Sequence, residues 1–385
     1  MFPKSLSRFV SLALLSILLL SCGAPQIAVT ATSLPPSPSS TPRPTSLPTD
    51  TPTATEVPPT PTLIPTSVQP LRDYATQRGI LIGAGVSAQM LDQEDYSGLV
   101  AREFNQITPD NAMKFKSLHP LPKIYDFEVA DQLVAFAQKN KMQVRGHTLV
   151  WHNQLSDWVN NGKFTRAEMI AILKDHVTTV VSHYRGQVAY WDVVNEAVDD
   201  DGSLRDTVWL RSIGPEYIDM AFQWAHAADP HAKLFYNDYN NEDMGLKSNA
   251  IFNLVKGMVE RGIPINGVGL QMHLILDSPP QKTDVVKNMQ RLGDLGLEVN
   301  ITELDVRMQV PPSAKKLSDQ ATVYSDMLQA CLTVSNCKVF TIWGFSDRLS
   351  WIPQFFDGYG AALIFDESFN PKPAYTALIN TLAPK

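Results

Sequence analysis

Cysteine is scarce in this chain of 385 residues: only Cys22, Cys331 and Cys337 occur. With Cys22 set apart by its place near the start, two thiols remain, too few to build a cysteine metal centre. Apolar runs of bilayer length are lacking too. Phe9–Leu20 falls short of the about 20 residues a spanning helix needs, which argues against a transmembrane segment there. Basic residues are in deficit, with 32 Lys and Arg against 39 Asp and Glu and a net charge of −7. Without Lys4 and Arg8 of the N-terminal segment the charge is −9. That argues against nucleic acid and anionic membrane surfaces as partners and leaves neutral polymers open. A phosphate-binding glycine loop is also missing. Gly83-Ala84-Gly85 has no third glycine at the needed spacing, and no acidic ribose partner follows, so an open dinucleotide-binding sheet is disfavoured. His147, His152, His273 and Asp305 invite a metal reading, but no His-x-His pair occurs. No internal repeat is present.

What is there divides the chain in three. Residues 1–22 have a short basic region at Lys4 and Arg8, the apolar stretch, and small residues at Ser21, Cys22 and Gly23, the pattern of an export signal. Leu19-Leu20-Ser21-Cys22 resembles a bacterial lipoprotein signal, which implies a lipid on Cys22 and attachment to a membrane through it. Ordinary cleavage with an unmodified Cys22 and free secretion is the alternative. Residues 23–70 hold 13 of the 28 prolines among Thr and Ser, with only Arg43, Asp50 and Glu56 charged. Such a composition cannot bury enough apolar surface to offset its ordering entropy, so a disordered linker is expected, a stalk or a plain spacer. Residues 71–385 hold nearly all the Trp and Tyr and are expected to form one compact catalytic domain, acting as a monomer.

Within that domain, short β-rich runs alternate with helical patterns. Strands are expected at 81–86, 104–108, 143–150, 190–196, 233–238, 267–273, 298–306 and 339–345, from their apolar and β-branched content. Helical periodicity marks 129–139, 166–184, 216–228, 248–260, 283–295, 318–332 and 373–381. Eight alternations in about 315 residues fit an α/β fold, the (β/α)8 TIM barrel. In such a barrel the C-terminal strand ends face the active site. There the sequence places Asp110, Asn111 and Lys114; His147, Trp151 and Gln154; Asn195 and Glu196; Asn237, Asp238 and Tyr239; Gln271 and His273; Glu303 and Asp305; and Trp343, Arg348 and Trp351. One polar residue at a strand end means little. A polar cluster at seven successive ends is hard to explain as packing, because burying such groups costs free energy.

Two of these residues are glutamates on the fourth and seventh strands, opposite one another in an eight-strand ring. Glycoside hydrolysis needs such a carboxyl pair across the bond, one to protonate the leaving oxygen and one to attack the anomeric carbon or activate water. Either glutamate alone would read as a structural ion pair. Sequence does not supply their separation, so retention and inversion both stay open on the residues alone.

Seven segments carry a further resemblance. Thr108-Pro109-Asp110-Asn111-Ala112-Met113-Lys114, Arg145-Gly146-His147-Thr148-Leu149-Val150-Trp151-His152 and Trp191-Asp192-Val193-Val194-Asn195-Glu196 are similar to family 10 glycoside hydrolases. So are Tyr236-Asn237-Asp238-Tyr239-Asn240, Gly269-Leu270-Gln271-Met272-His273-Leu274 and Ile301-Thr302-Glu303-Leu304-Asp305, with Trp343-Gly344-Phe345-Ser346-Asp347 continuing the series. The likeness spans nearly all of 75–380. It implies an endo-β-1,4-xylanase acting with retention on xylan, with Glu196 as acid/base and Glu303 as nucleophile, and with neither metal nor cofactor. It further implies that Asn195 binds the 2-hydroxyl of the cleaved sugar and that His273 hydrogen-bonds the nucleophile. Asp305, two residues on from Glu303, is placed to orient and charge-balance His273. Asn111, Lys114, His147 and Gln154 would hold hydroxyls on the glycone side. Tyr239 and Gln271 complete the substrate set, and Trp151, Trp343 and Trp351 would wall the sugar faces. Trp343 and Trp351 would also crowd the hydroxymethyl group that glucose has and xylose lacks. Trp191, Trp209 and Trp224 are expected in the core. Asp110 and Phe115 depart from the family pattern, where Glu and Trp are common. Cys331 and Cys337 form either a disulfide, which export permits, or two buried thiols. A β-1,4-glucanase on the same barrel and a non-catalytic polysaccharide-binding surface lipoprotein are the competing functions.

Overall fold

The computed structural model describes residues 69–384. The expected signal segment, nearly all of the linker, and Cys22 lie outside the described residues. Eight parallel strands close into a barrel: β1 (Leu81–Val86), β2 (Gln106–Pro109), β3 (Gln143–Val150), β4 (Tyr190–Asn195), β5 (Lys233–Asp238), β6 (Gly267–Leu270), β8 (Glu298–Gln309) and β9 (Val339–Ile342). β9 pairs with both β8 and β1, which closes the ring. Two short strands sit outside it: β7 (His273–Ile275) runs parallel to β8, and β10 (Tyr359–Gly360) runs antiparallel to it. Helices follow the strands, with bounds within a few residues of the periodic patterns. The largest extension is Ala314–Thr333, which begins where the Ser313 side chain accepts the Lys316 N–H. Helix Arg166–His183 starts on a capping box, Thr165 and Glu168 exchanging side-chain and backbone bonds. Helices Leu71–Gln77 and Glu94–Glu103 went unpredicted.

Strand ends depart from the sequence reading where function sits. The fourth strand stops at Asn195, because Glu196 has φ 57°. The sixth stops at Leu270 and the chain bends at Met272, φ 63°, before β7 begins. The seventh, expected to end at 306, continues to Gln309 because β7 and β10 supply partners on the way. The second is shifted to 106–109 and the eighth ends at Ile342, short of Gly344 at φ 94°.

The barrel interior carries charge. Arg145 and Asp192 are buried and form a bidentate ion pair, with Nε 3.0 Å from Oδ2. The guanidinium also lies 4.7 Å over the Phe235 ring. Space for that ring requires Gly267, where an added Cβ would come within 2.3 Å of Phe235. Trp191 and Trp209 are core, as expected, whereas Trp224 is only half-buried. Cys331 and Cys337 are joined as a disulfide with Cα atoms 5.2 Å apart.

Removing one partner of a buried pair leaves the other charge without compensation, which costs about 3–5 kcal/mol. Arg145→Met is therefore expected to destabilise the domain by about that amount. Urea unfolding checks it: a midpoint near that of the wild type would show that Asp192 is satisfied without Arg145.

Candidate active site

The C-terminal barrel mouth opens into a cleft of ≈ 720 Å³. It is lined by Asn111, Lys114, His147, Trp151, Gln154, Asn195, Glu196, Tyr239, Gln271, His273, Glu303, Trp343 and Trp351, among others. Asp305 stands behind His273 and is fully buried. The structure thus brings the predicted catalytic and substrate residues of the barrel to one place, whereas Arg348 stands outside the cleft lining, over the Phe369 ring and 3.8 Å from Asp95.

Glu196 and Glu303 meet through amides. Asn237 Nδ2 donates to Glu303 Oε1 at 2.7 Å and to Asn195 Oδ1 at 2.8 Å. Gln271 Nε2 donates to Asn195 Oδ1 and to Glu196 Oε1, at 3.2 and 3.1 Å, and Asn195 Nδ2 donates to Glu196 Oε1 at 3.1 Å. One amide network therefore joins the two carboxyl groups. Thr302 Oγ1 donates to Asn237 Oδ1 at 2.7 Å, which fixes the amide with its nitrogen toward Glu303. Gly269 leaves room for this, since an added Cβ would approach Asn237 Oδ1 to 2.0 Å.

Glu303 keeps its charge although it is buried. Burial alone would raise its pKa, but His147, His273 and Lys114 together bring it down to about 2. His273 Nε2 lies 3.2 Å from Glu303 Oε2, and its Nδ1 lies 2.8 Å from Asp305 Oδ2. A ring facing carboxylate oxygens at both nitrogens donates to both only as imidazolium. Burial opposes that charge, yet Asp305 and Glu303 raise His273 to about 10. Trp351 Nε1 donates to Asp305 Oδ2 at 2.8 Å, so the indole holds the carboxylate that holds the histidine.

The turn bearing Glu196 is held at each backbone group. Its N–H donates to Asn237 O at 2.9 Å, and its carbonyl accepts from Arg205 Nε at 3.0 Å. The Ala197 and Val198 N–H groups both donate to the Tyr236 hydroxyl at 3.1 Å, and that hydroxyl donates to Asp238 Oδ2. A non-glycine residue in the left-handed region costs of order 1–3 kcal/mol and persists only when its surroundings over-determine it.

On the other side of the cleft, Lys114 lies 4.9 Å from the Trp151 ring and 5.8 Å from that of Trp343. Burial lowers its pKa against the pull of Glu303, Asp110 and Glu196. Its Nζ and Gln154 Nε2 both reach Asn111 Oδ1, at 3.5 and 3.2 Å. His147 sits on β3, buried, with Nδ1 3.0 Å from Asp192 Oδ2 and 3.8 Å from Glu303 Oε1. Tyr239 accepts from Arg205 Nη2 at 2.8 Å and has Lys247 Nζ 3.4 Å from its ring centre.

Sequence reasoning gave Asn237 a strand end but no role, and overlooked Asp192, Thr302, Arg205 and Glu242. Asp192 had a signal: Arg145 and His147 alternate on one face of β3, and a buried acid on the neighbouring strand was due. Glu242 had none. Its carboxylate accepts the Met272 N–H at 3.1 Å and braces the bend between Gln271 and His273, and burial pushes its pKa up to about 7.

A parallel eight-stranded barrel with two glutamates tied into one amide network at its C-terminal mouth has the architecture of a glycoside-cleaving barrel enzyme. Glycosyl hydrolase family 10 is the particular family to which the chain belongs, the family's sequence model matching residues 70–381. Endo-1,4-beta-xylanase B of Thermotoga neapolitana is 48% identical over 313 residues, 80% of this chain and 90% of the relative. Endo-1,4-beta-xylanase A of Phanerodontia chrysosporium is 40% identical over 316 residues, 81% of this chain and 77% of that one. Among solved structures, xylanase 10B of Thermotoga petrophila RKU-1 in complex with xylobiose superposes with a TM-score of 0.80 at 44% identity, covering 81% of this chain and 97% of that one.

His273, raised to about 10 from an ordinary 6.5, contributes stability that is fully present below pH 6.5 and is lost as pH rises through 10. The stability difference between wild type and His273→Gln should therefore be large at pH 6 and shrink toward pH 10. Urea midpoints across that window check it, and a constant difference would mean that the ring is not held as imidazolium.

Proposed function

We propose that the chain is an endo-1,4-β-xylanase that cleaves internal xylosidic bonds by double displacement with retention. Glu303 attacks the anomeric carbon while Glu196 gives its proton to the leaving oxygen. The glycosyl ester on Glu303 is then released by a water that surrenders a proton to Glu196. The observation that carries the reading is the unequal setting of the two acids. Glu303 is held as carboxylate by an imidazolium, a second histidine and a lysine. Among the described residues, the Glu196 carboxyl is offered only amide hydrogen-bond donors, from Asn195 and Gln271. Esterifying Glu303 removes one negative charge from this network, which favours Glu196 as base in the second step. The relatives are endo-1,4-beta-xylanases and one solved neighbour is bound to xylobiose, which supports xylan over glucan.

Within this reading Asn195 takes the 2-hydroxyl, Asn111, Lys114, His147 and Gln154 serve the glycone side, and Tyr239 and Gln271 serve the sugars around the cleaved bond. Trp151, Trp343 and Trp351 provide the apolar walls. The segment 1–22 directs export, Cys22 carries lipid, and 23–70 is the stalk that carries the catalytic domain from the membrane. Their support is the sequence pattern.

On xylan, Glu196→Ala should lose about 10²–10⁴ in kcat. The loss in the first step should be much smaller on an aryl xylobioside whose leaving group needs no proton. Glu303→Ala should be at least about 10³ slower on both substrates. NMR of the first-formed anomer should show β product; α product would overturn retention. If the indole guards against glucose, Trp351→Ala should raise the rate on aryl cellobioside relative to aryl xylobioside, even though losing the Asp305 contact slows both. An unchanged ratio counts against that role.

A further inference from the structure

We infer that Arg307 and Phe355 form a recognition site for a carboxylated sugar branch, a uronic acid carried by the polysaccharide, on the wall of the cleft. The inference rests on the reading of the cleft as a xylan site. Glu303, Asp305 and Arg307 follow at strand spacing on β8, so the third side chain in the series lines the same cleft as the first. Its guanidinium lies 4.1 Å over the Phe356 ring, and Nη1 donates to the His273 carbonyl at 3.1 Å. Among the described residues it makes no other side-chain hydrogen bond and no ion pair with a carboxylate.

That sets it apart from the other cations in and around the cleft. Arg145 is spent on Asp192, Arg205 on Asp199 and Lys247 on Asp238. Lys114 lies in the field of Glu303, Asp110 and Glu196. A guanidinium left without a counter-ion, in a chain of net charge −7, is a fork of donors fixed by an aromatic ring and a backbone carbonyl. Its planar geometry matches a carboxylate in two-point contact. Phe355 gives the second half of the site. It lines the same cleft, is 70% exposed, and packs against Trp351 with ring centroids 5.2 Å apart. Trp351 in turn packs on Phe356, which carries Arg307. A pyranose branch could lay its apolar face on Phe355 and turn its carboxylate to Arg307. A phosphate or a free anion would satisfy the guanidinium but leave the aromatic platform without a purpose.

The test uses the full-length enzyme on three polymers: uronate-branched β-1,4-xylan, the same polymer with its carboxyls reduced to alcohols, and unbranched xylan. Wild type should favour the charged polymer over its reduced form in kcat/KM, by about threefold to tenfold at low salt. The preference should narrow at about 1 M salt, where screening is strong. Arg307→Gln should abolish it and Arg307→Lys should keep part of it. Phe355→Ala, at an exposed position, should lower both branched polymers relative to the unbranched one. Equal rates of wild type on charged and reduced branches would overturn the inference without any variant, and so would an Arg307→Gln enzyme that keeps the preference. Failure of wild type on all three polymers would instead sink the xylanase reading.

Discussion

A carboxylate kept ionised in a buried place is the constraint around which this mouth of the barrel is organised. Burying an unpaired charge is prohibitive, and a protein normally escapes by letting the group take up a proton. Glu303 does not escape, because its neighbours hold it ionised. Asn237 donates to one oxygen and the His273 imidazolium faces the other, while His147 and Lys114 add positive potential. Each neighbour needs its own support. Thr302 sets the Asn237 amide, Asp305 charges and aims His273, and Trp351 holds Asp305. The supporting residues come from β5, β7, β8 and the loop after β9, so only the closed barrel brings them together.

The same logic explains why charge extends down into the barrel. His147 touches Asp192 on one side and approaches Glu303 on the other, and Asp192 is neutralised by Arg145. Replacing the ion pair with apolar side chains would preserve packing and could even stabilise the fold. It would also remove the acid that fixes the His147 ring. The ion pair is better understood as a support for the site than as a source of stability.

Much of this was legible in the sequence, and the limits have physical causes. The eight alternations and the polar strand ends were visible because strand periodicity and barrel topology are local patterns. Glu196, Glu303, His273 and Asp305 could be placed by counting along strands. What periodicity cannot report is where a strand stops. The breaks at Glu196 and Met272 depend on left-handed backbone conformations held by side chains from other segments, the Tyr236 hydroxyl and Arg205 for one and the Glu242 carboxylate for the other. Glu242 was invisible for that reason: its function is to accept one backbone N–H, and no spacing rule encodes that. Trp351 was read as a wall for sugar. Its ring nitrogen, which binds Asp305, cannot be inferred from an aromatic in a loop.

Those two bends also bear on the different surroundings of the two glutamates. Glu303 lies within a regular strand, where its oxygens face fixed donors from β5 and β7. Such rigidity suits the nucleophilic part proposed for Glu303, because attack requires one short, aligned approach. Glu196 stands one residue past the end of its strand, on a turn fixed through its backbone, while its side-chain contacts come from two amides. Amides accompany the carboxyl in either protonation state, since they can donate to it when charged and do not insist on the charge as a cation would. An acid proposed to give up a proton and take one back in each turnover is suited by donors that stay bonded in both states. Its place outside the strand sets its hydrogen-bond donors apart from the imidazolium that faces Glu303.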